Sequence, residues 1–139
     1  LSVHLWVCFK SLYCLADIIM NVTFINTSST WEDAVDYCRA RNSDLISISS
    51  QLEQDAIAAL LNNTSSSSVW LGLRQSRLFG FWLWIDEKPL SYEKWVHRPP
   101  SQLPASSPCA VMSQEKNFSW TNVSCSEKYR FICSTGSSL

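Results

Sequence analysis

Near its end the chain reads Cys109-Ala-Val-Met112, then Phe118-Ser-Trp-Thr-Asn122, then Cys125, and closes on Tyr129-Arg-Phe-Ile-Cys133. A bridge between Cys109 and Cys125 would close a short loop, whereas a bridge from Cys133 back to Cys38 would enclose most of a domain. In the chain-entropy model, closing about 15 residues contributes roughly 3 kcal/mol, and closing about 100 residues contributes about 4.7 kcal/mol. Few single-domain chains place the cysteines for two disulfides of such different loop length in one segment, so this segment constrains how the rest of the chain folds.

Length and charge exclude several classes of protein. The 139 residues suffice for one domain with its own core, without a structural metal. The formal net charge is -1, and lysine and arginine are scattered along the chain rather than clustered. Because nucleic-acid binding needs a basic surface, we expect no nucleic acid as a partner.

Cysteines and glycosylation sequons indicate passage through an oxidising secretory route. The chain has six cysteines, and Asn-x-Ser/Thr sequons begin at Asn21, Asn26, Asn62, Asn63, Asn117 and Asn122. Six cysteines allow 15 pairings, among which the sequence alone does not choose. A zinc site is disfavoured because no C-x2-C pair with partner histidines exists. The sequence therefore predicts a disulfide-bonded glycoprotein that is secreted or lies on the extracellular face of the plasma membrane.

The first 22 residues are more apolar than the rest, but Lys10 and Asp17 interrupt them. A membrane span of about 20 residues should not carry both charges. The segment fits a truncated signal peptide, although the chain opens at Leu1, and it fits a preceding part of a longer protein equally well. Any membrane association is expected only through a missing part of the chain.

The predicted organisation is therefore a truncated signal peptide or upstream segment at 1–22 and one domain at 23–139. Cys8 and Cys14 either pair locally or are removed with the first segment. Their role stays open at this point.

Apolar periodicity predicts a strand at 22–25, followed by two helices. Thr30 is the expected N-cap of the first helix, whose apolar stripe is Trp31, Ala34, Val35 and Cys38. Ser50 is the expected N-cap of the second helix, with an inner face of Leu52, Ala56, Ala59 and Leu60. The polar run 64–68 after this helix is expected to be exposed.

Short strands are predicted at 69–73 and 81–85, where aromatic and branched residues are dense. The segment 98–108 holds four of the five prolines, so it cannot pair in a sheet and is expected to be a long irregular loop. Long ordered loops often carry function.

Two motifs resemble the C-type lectin-like domain family. Trp70-Leu-Gly-Leu73 is similar to the family's W-[IL]-G-[LA] core strand. The stretch from Trp84-Ile-Asp86 through Pro89-Leu90 and Tyr92 to Trp95 is similar to its W-x-D-x-x-P-L-x-Y-x-x-W motif. The helix with Cys38 and the closing Phe131-Ile-Cys133 match as well, so the resemblance covers about 110 residues.

The resemblance implies the family's α+β fold, in which two helices flank two small antiparallel sheets beside a long irregular loop. It also implies disulfides between Cys38 and Cys133 and between Cys109 and Cys125. Cys8 and Cys14 do not match the extra N-terminal bridge found in the family.

The family's calcium-dependent sugar motif is not reproduced. Its E-P-N or Q-P-D triplet aligns with Arg98-Pro99-Pro100, its glutamate with Ser107, and its W-N-D with Trp120-Thr121-Asn122. Calcium takes six to eight oxygen ligands, usually including carboxylates. The aligned residues contain no carboxylate and one cation, so we expect no cofactor, although a calcium site elsewhere in the loops stays open.

Two groups of residues are candidates for binding or for the core. Trp70, Trp84 and Trp120 could stack on sugar rings, but their strand spacing favours a core motif together with Leu71 and Gly72. The candidate ligand-binding residues border the proline-rich loop and are Trp95, His97, Arg98, Thr121 and Asn122. The alternative interpretation is that they are ordinary solvated loop residues.

Enzymatic chemistry is not expected. Asp86 and Glu87 are adjacent carboxylates, but neighbours on a strand point to opposite faces and cannot flank one glycosidic bond. The chain has only two histidines, His4 and His97, and no nucleophile motif.

These observations predict an extracellular C-type lectin-like recognition module. Carbohydrate binding is the expectation that the resemblance carries, and the aligned residues favour binding without calcium. The alternative is a protein-binding domain of a receptor or multidomain cell-surface protein. The expected partner is a glycan or an extracellular protein.

Overall fold

The computed structural model describes residues 2–7, 18–99 and 106–135. Cys8 and Cys14 lie outside the described residues, as does Pro100 of the aligned triplet. In chain order the elements are β1 (Ser2–Val7), β2 (Ile18–Ser29), α1 (Trp31–Arg39), β3 (Asp44–Leu45), α2 (Gln51–Asn62), β4 (Ser68–Gln75), β5 (Trp82–Trp84), β6 (Cys109–Ser113), β7 (Ser119–Val123) and β8 (Tyr129–Ser134). Among the described residues, no helix has the length and apolar character needed to cross a membrane.

Helix α1 begins where the sequence predicts. The hydroxyl of Thr30 accepts a hydrogen bond from the backbone N–H of Asp33, which satisfies one of the free donors of the first turn. The buried residues of the helix are the predicted stripe, Trp31, Ala34, Val35 and Cys38. The predicted cap and inner face of α1 are confirmed.

Helix α2 is capped by Ser50, whose hydroxyl accepts from the backbone N–H of Glu53. Its inner face differs from the prediction, because Ala59 is exposed while Ile57 and Leu61 are fully buried. The following polar run is also not uniformly exposed, since Ser66 is buried and its hydroxyl donates to the backbone oxygen of Ser68. Both predictions were wrong in detail.

In the described part of the chain the strands join in one sheet with the order β1-β2-β8-β4-β6-β7, while β3 pairs with β8 and β5 with β4. Strands β4 and β8 run parallel, with Val69 opposite Arg130 and Trp70 opposite Phe131. The other pairs are antiparallel. The described strands therefore form one mixed sheet, whereas the resemblance implies two small antiparallel sheets.

Strand β2 crosses the predicted boundary between 22 and 23, so the division at that point stays a prediction. It pairs with β1 from Ser2 opposite Thr23 to Val7 opposite Ile18. On its other side it pairs with β8, with Val22 opposite Ser134. Strand β2 therefore lies between the first and the last strands that the structure describes.

Two disulfides tie the helices and loops to this sheet. Cys38 is bonded to Cys133 and Cys109 to Cys125, at Cα separations of 5.5 and 5.2 Å, which is the pairing implied by the resemblance. Cys38, Cys109 and Cys133 belong to one apolar cluster with Trp31 and Trp70. A second cluster, with Trp84 and Trp120, fills the space between α2 and the sheet.

Gly72 lies where β4 is tightly enclosed by other backbone segments. Its N–H donates to the carbonyl oxygen of Ile46, and its own carbonyl accepts from the N–H of Ile85, both at 2.7 Å. A side chain at this position would meet the carbonyl oxygens of Leu45 and Ile46. The glycine of the W-[IL]-G-[LA] motif is therefore a packing requirement.

Candidate functional site

The segment after the second motif lies along β7. The N–H of Val96 donates to the carbonyl oxygen of Trp120 at 2.9 Å, and the N–H of Trp120 donates to that of Lys94 at 2.8 Å. These bonds form a short parallel bridge between Trp95 and Trp120. The structure thereby brings the first predicted ligand-binding residues close to Thr121 and Asn122.

The five predicted ligand-binding residues differ in exposure. His97 and Arg98 are exposed, whereas Trp95, Thr121 and Asn122 are half-buried. The ring of Trp95 contacts those of Trp82 and Trp120 edge to face, at centroid distances of 4.9 and 5.7 Å. The Asn122 amide nitrogen donates to the carbonyl oxygen of Ser107 at 3.2 Å.

Glu93, which was not among the predicted site residues, organises this segment. Its Oε1 accepts from the Trp95 indole N–H at 3.0 Å, and its Oε2 lies 3.2 Å from Nη1 of Arg98. Both carboxylate oxygens therefore have partners on the same short segment. An acid and a base five residues apart in a loop follow no helical or strand period, so this pair has no periodic signature in the sequence.

The residues of the predicted core motif lie in the interior. Trp70, Leu71 and Trp120 are 0% exposed and Trp84 is 3% exposed. The Trp120 indole N–H donates to Oε1 of Gln54 at 3.0 Å. None of these rings presents a free face to solvent, so the sugar-stacking alternative does not apply to them.

The side chain of Tyr92 contacts both Trp120 and helix α2. Its hydroxyl donates to Oε1 of Gln51 at 2.8 Å, and the ring centroids of Tyr92 and Trp120 are 5.9 Å apart. Burial, and secondarily the charge of Asp55, raises the pKa of the Tyr92 hydroxyl above its ordinary value. Tyr92 is therefore a neutral hydrogen-bond donor at physiological pH.

A groove of about 450 Å³ runs beside this aromatic network. We call it the Trp82 groove, and its lining residues are Phe81, Trp82, Pro89, Leu90, Glu93, Trp95, Arg98 and Pro99. Two of the predicted ligand-binding residues, Trp95 and Arg98, lie in it. The other lining residues, which lie in or near β5 and in the segment after it, were not predicted. A groove formed by segments distant in sequence has no periodic signature.

The aligned residues that the structure describes, which exclude Pro100, supply no carboxylate for a calcium ion. Arg98 is paired with Glu93, and the carbonyl oxygen of Ser107 is occupied by the Asn122 amide. Within residues 2–7, 18–99 and 106–135, no group of three or more histidine, cysteine or acidic side chains is close enough to hold a metal ion. The donor set thus does not fit calcium, a hard ion that requires several oxygen ligands.

The two sequons of the C-terminal half differ in their surroundings. Asn117 is exposed and has a left-handed backbone with φ of 56°, at the end of a short 3-10 turn. Asn122 is half-buried within β7, and its amide nitrogen is directed at Ser107. Glycan attachment uses this amide nitrogen, so the surroundings of Asn117 are more favourable.

We therefore expect that Asn117 carries a glycan and that Asn122 does not. In protein secreted from animal cells, Asn117→Gln should lower the intact mass by one glycan, whereas Asn122→Gln should leave the glycan mass unchanged. Glycosidase-treated samples of both variants serve as the matched controls. Loss of a glycan in Asn122→Gln but not in Asn117→Gln would contradict the assignment.

Comparisons with known proteins agree with this architecture. The Lectin C-type domain family matches residues 27–135. Human C-type mannose receptor 2 is 34% identical over 119 residues, which are 86% of this chain but only 8% of the receptor. Human lithostathine-1-beta is 33% identical over 114 residues, which are 79% of this chain and 68% of that protein.

A solved structure is similar over almost the whole chain. The crystal structure of a calcium-independent type II antifreeze protein superposes with a TM-score of 0.73 at 26% identity, covering 96% of this chain and 97% of the other. Together with the matched domain and the two disulfides, this similarity confirms the predicted fold class. The chain belongs to the C-type lectin domain family, whose fold is that of a recognition domain.

Proposed function

We propose that this chain is an extracellular recognition module that binds a glycan or protein ligand without calcium and has no enzymatic activity. Its six sequons and its disulfides are typical of proteins that fold in the secretory route. The ligand-binding surface is the Trp82 groove, which includes Trp95 and Arg98, together with the adjoining residue His97.

The pairing of Arg98 with Glu93 carries the calcium-free part of the proposal. The guanidinium of Arg98 lies 3.2 Å from a Glu93 carboxylate oxygen, and a divalent cation at that carboxylate would be repelled by Arg98. The chain contains no aspartate or glutamate between Glu93 and Glu115, so the long loop supplies no other carboxylate.

A protein ligand is the second candidate, and one observation favours it. The turn between β4 and β5 exposes Leu78, Phe79 and Phe81 to solvent next to the Trp82 groove. Contiguous exposed apolar side chains on a soluble domain usually mark a surface that contacts another molecule. A protein surface can cover such side chains more completely than a sugar can.

Calcium should neither stabilise the fold strongly nor control binding. A calcium site with a Kd of roughly 0.1 mM would, at about 10 mM calcium, stabilise the fold by about 2.7 kcal/mol. For a domain of this size that corresponds to a rise in Tm on the order of 5 to 10 °C. We expect a rise below about 2 °C, measured by calorimetry with calcium and with chelator.

Binding under chelator is the decisive measurement, because a calcium site elsewhere in the loops could raise Tm without touching the ligand. The probes are a glycan array and a panel of extracellular proteins, each tested in EDTA and in calcium. Signals that are equal in both conditions support the proposal. Release by EDTA that calcium restores would contradict it.

A further inference from the structure

We propose that the disulfide between Cys109 and Cys125 is a site of thiol–disulfide exchange. A small-molecule thiol attaches covalently to Cys125, and Arg74 stabilises the Cys109 thiolate that leaves. This modification site lies apart from the lining of the Trp82 groove and does not depend on which ligand the domain binds. Two features support it, the unequal burial of the bonded cysteines and the position of the Arg74 guanidinium.

Cys125 is the accessible end of a bond whose other end is buried. Cys38, Cys109 and Cys133 are buried, with at most 4% of their surface exposed. Cys125 is half-buried in the turn between β7 and β8, next to the exposed Ser126. Because a thiolate attacks a disulfide at a sulfur that it can reach, access decides which bond reacts. Of the two disulfides that the structure describes, the one with Cys125 is therefore the reactive one.

The guanidinium of Arg74 contacts both sulfurs of this bond. Arg74 lies opposite Cys109 in the pairing of β4 with β6, so the two side chains project from the same face of the sheet. Its Nη1 lies 3.8 Å from Sγ of Cys109 and 3.6 Å from Sγ of Cys125. The guanidinium carbon also lies 5.4 Å from the ring centroid of Trp31. Arg74 is thus packed against an aromatic ring with its charge directed at the disulfide.

Arg74 has no carboxylate partner in the described part of the chain. Glu32 pairs with Arg77 at 3.7 Å, and Glu127 accepts a hydrogen bond from the Tyr129 hydroxyl at 2.8 Å. Burial, and secondarily the charge of Arg77, lowers the pKa of the Arg74 guanidinium. An arginine still remains charged at physiological pH, because its ordinary pKa is above about 12. Its positive charge is therefore available to a sulfur anion.

The exchange is a displacement at sulfur. The thiolate of the small molecule attacks Sγ of Cys125 and forms a new S–S bond there, and the old bond breaks with its electron pair on Sγ of Cys109. A cation beside the leaving thiolate stabilises it and speeds this step. A second thiol then displaces the first from Cys125. Two thiols are thereby oxidised to the small-molecule disulfide while the protein disulfide is reduced to two cysteines.

The two cysteines should stay close to each other after the bond opens. The N–H of Trp31, at the start of α1, donates to the carbonyl oxygen of Cys125 at 3.1 Å. Cys109 remains opposite Val123 in the pairing of β6 with β7. These backbone contacts do not require the disulfide, so the modification is expected to be reversible when the thiol is removed.

The test exposes the folded full chain to reduced glutathione, quenches the reaction with N-ethylmaleimide and assigns the state of every cysteine by peptide mass spectrometry. Four proteins are compared: wild type, Arg74→Met, Arg74→Lys and Arg77→Met. Arg77→Met is the matched control, because it removes an arginine from the same part of the surface that pairs with Glu32 rather than with the disulfide. Circular dichroism verifies that each variant is folded.

In the wild type, the bond between Cys109 and Cys125 should open at least about tenfold faster than the bond between Cys38 and Cys133. The buried bond becomes accessible only when a larger part of the domain unfolds. The first product should carry glutathione on Cys125 and N-ethylmaleimide on Cys109.

Arg74→Met should slow the opening about fivefold, because it removes a hydrogen bond to a sulfur that becomes partly charged as the bond breaks. Arg74→Lys keeps the charge and should recover part of the rate. Arg77→Met should change the rate less than about twofold, since its partner is an exposed surface charge. Each rate is divided by that of the second disulfide in the same sample, which corrects for a variant with a looser fold.

Three outcomes would overturn the inference. The first is no reaction of the folded protein at a glutathione concentration that reduces the urea-unfolded chain. The second is glutathione on Cys109 rather than on Cys125. The third is a normalised rate for Arg74→Met that equals or exceeds that of the wild type, which would show that Arg74 does not assist the leaving thiolate.

Discussion

Gly72→Ala is expected to lower the free energy of unfolding by about 3 kcal/mol or more, among the largest effects of a single methyl group. The added Cβ would lie 2.7 Å from the carbonyl oxygen of Leu45, 3.0 Å from that of Ile46 and 3.0 Å from Cγ2 of Ile85. The two oxygens belong to the backbone. The Ile46 oxygen cannot move away without breaking its hydrogen bond from the Gly72 N–H.

Urea denaturation of wild type and Gly72→Ala measures this effect. The matched controls are Ile85→Ala and Gly72→Ala/Ile85→Ala, because alanine at position 85 removes the Cγ2 atom but leaves both backbone contacts. We expect little rescue, because the closest contact is with the backbone. A Gly72→Ala protein within about 1 kcal/mol of wild type would show that 45–46 and β4 can separate without cost.

Removal of the long-range disulfide should have the second large effect. Cys38 and Cys133 are 95 residues apart, so Cys38→Ala/Cys133→Ala releases a long loop and should destabilise the domain by about 4 to 5 kcal/mol. Domains of this size are often stable by only about 5 to 15 kcal/mol, so much of the stability depends on this bond.

Cys109→Ala/Cys125→Ala is the control for loop length. The disulfide between Cys109 and Cys125 joins residues 16 positions apart, and its loss should lower the free energy of unfolding by about 3 kcal/mol. Cys38 and Cys109 are both fully buried, but Cys133 is buried whereas Cys125 is half-buried, so part of the difference between the two variants reflects packing and the rest reports the loop length. Equal losses in urea denaturation, or a larger loss for the short loop, would contradict the chain-entropy explanation.

The sequence predicted features that depend on neighbouring residues. Thr30 and Ser50 cap their helices through bonds to residues three positions later, and the stripe of α1 follows directly from its spacing. The inner face of α2 was shifted, because Ala59 and Ile57 both fit an amphipathic helix. Only packing against the sheet decides that Ile57 is buried.

Contacts between distant segments could not be predicted in the same way. The parallel pairing of Val69 with Arg130 joins residues with no shared periodicity. The Trp82 groove likewise depends on how the turn after β4 lies beside the loop with Glu93 and Arg98. Trp95 and Arg98, at the edge of this surface, could be predicted from their place beside the proline-rich loop, whereas the unpaired N–H of Trp82 depends on the packing around it.

The bridge from Cys38 to Cys133 also decides how the domain transmits tension. Strands β2 and β8 meet with Val22 opposite Ser134, so a pull on the chain at both sides acts on neighbouring residues. The force path runs from Val22 along the chain to Cys38, crosses the disulfide and leaves at Cys133. Once β2 has separated from β8, the backbone of residues 39–132 lies outside this covalent path, so we expect the Trp82 groove to outlast the pairing of these two strands.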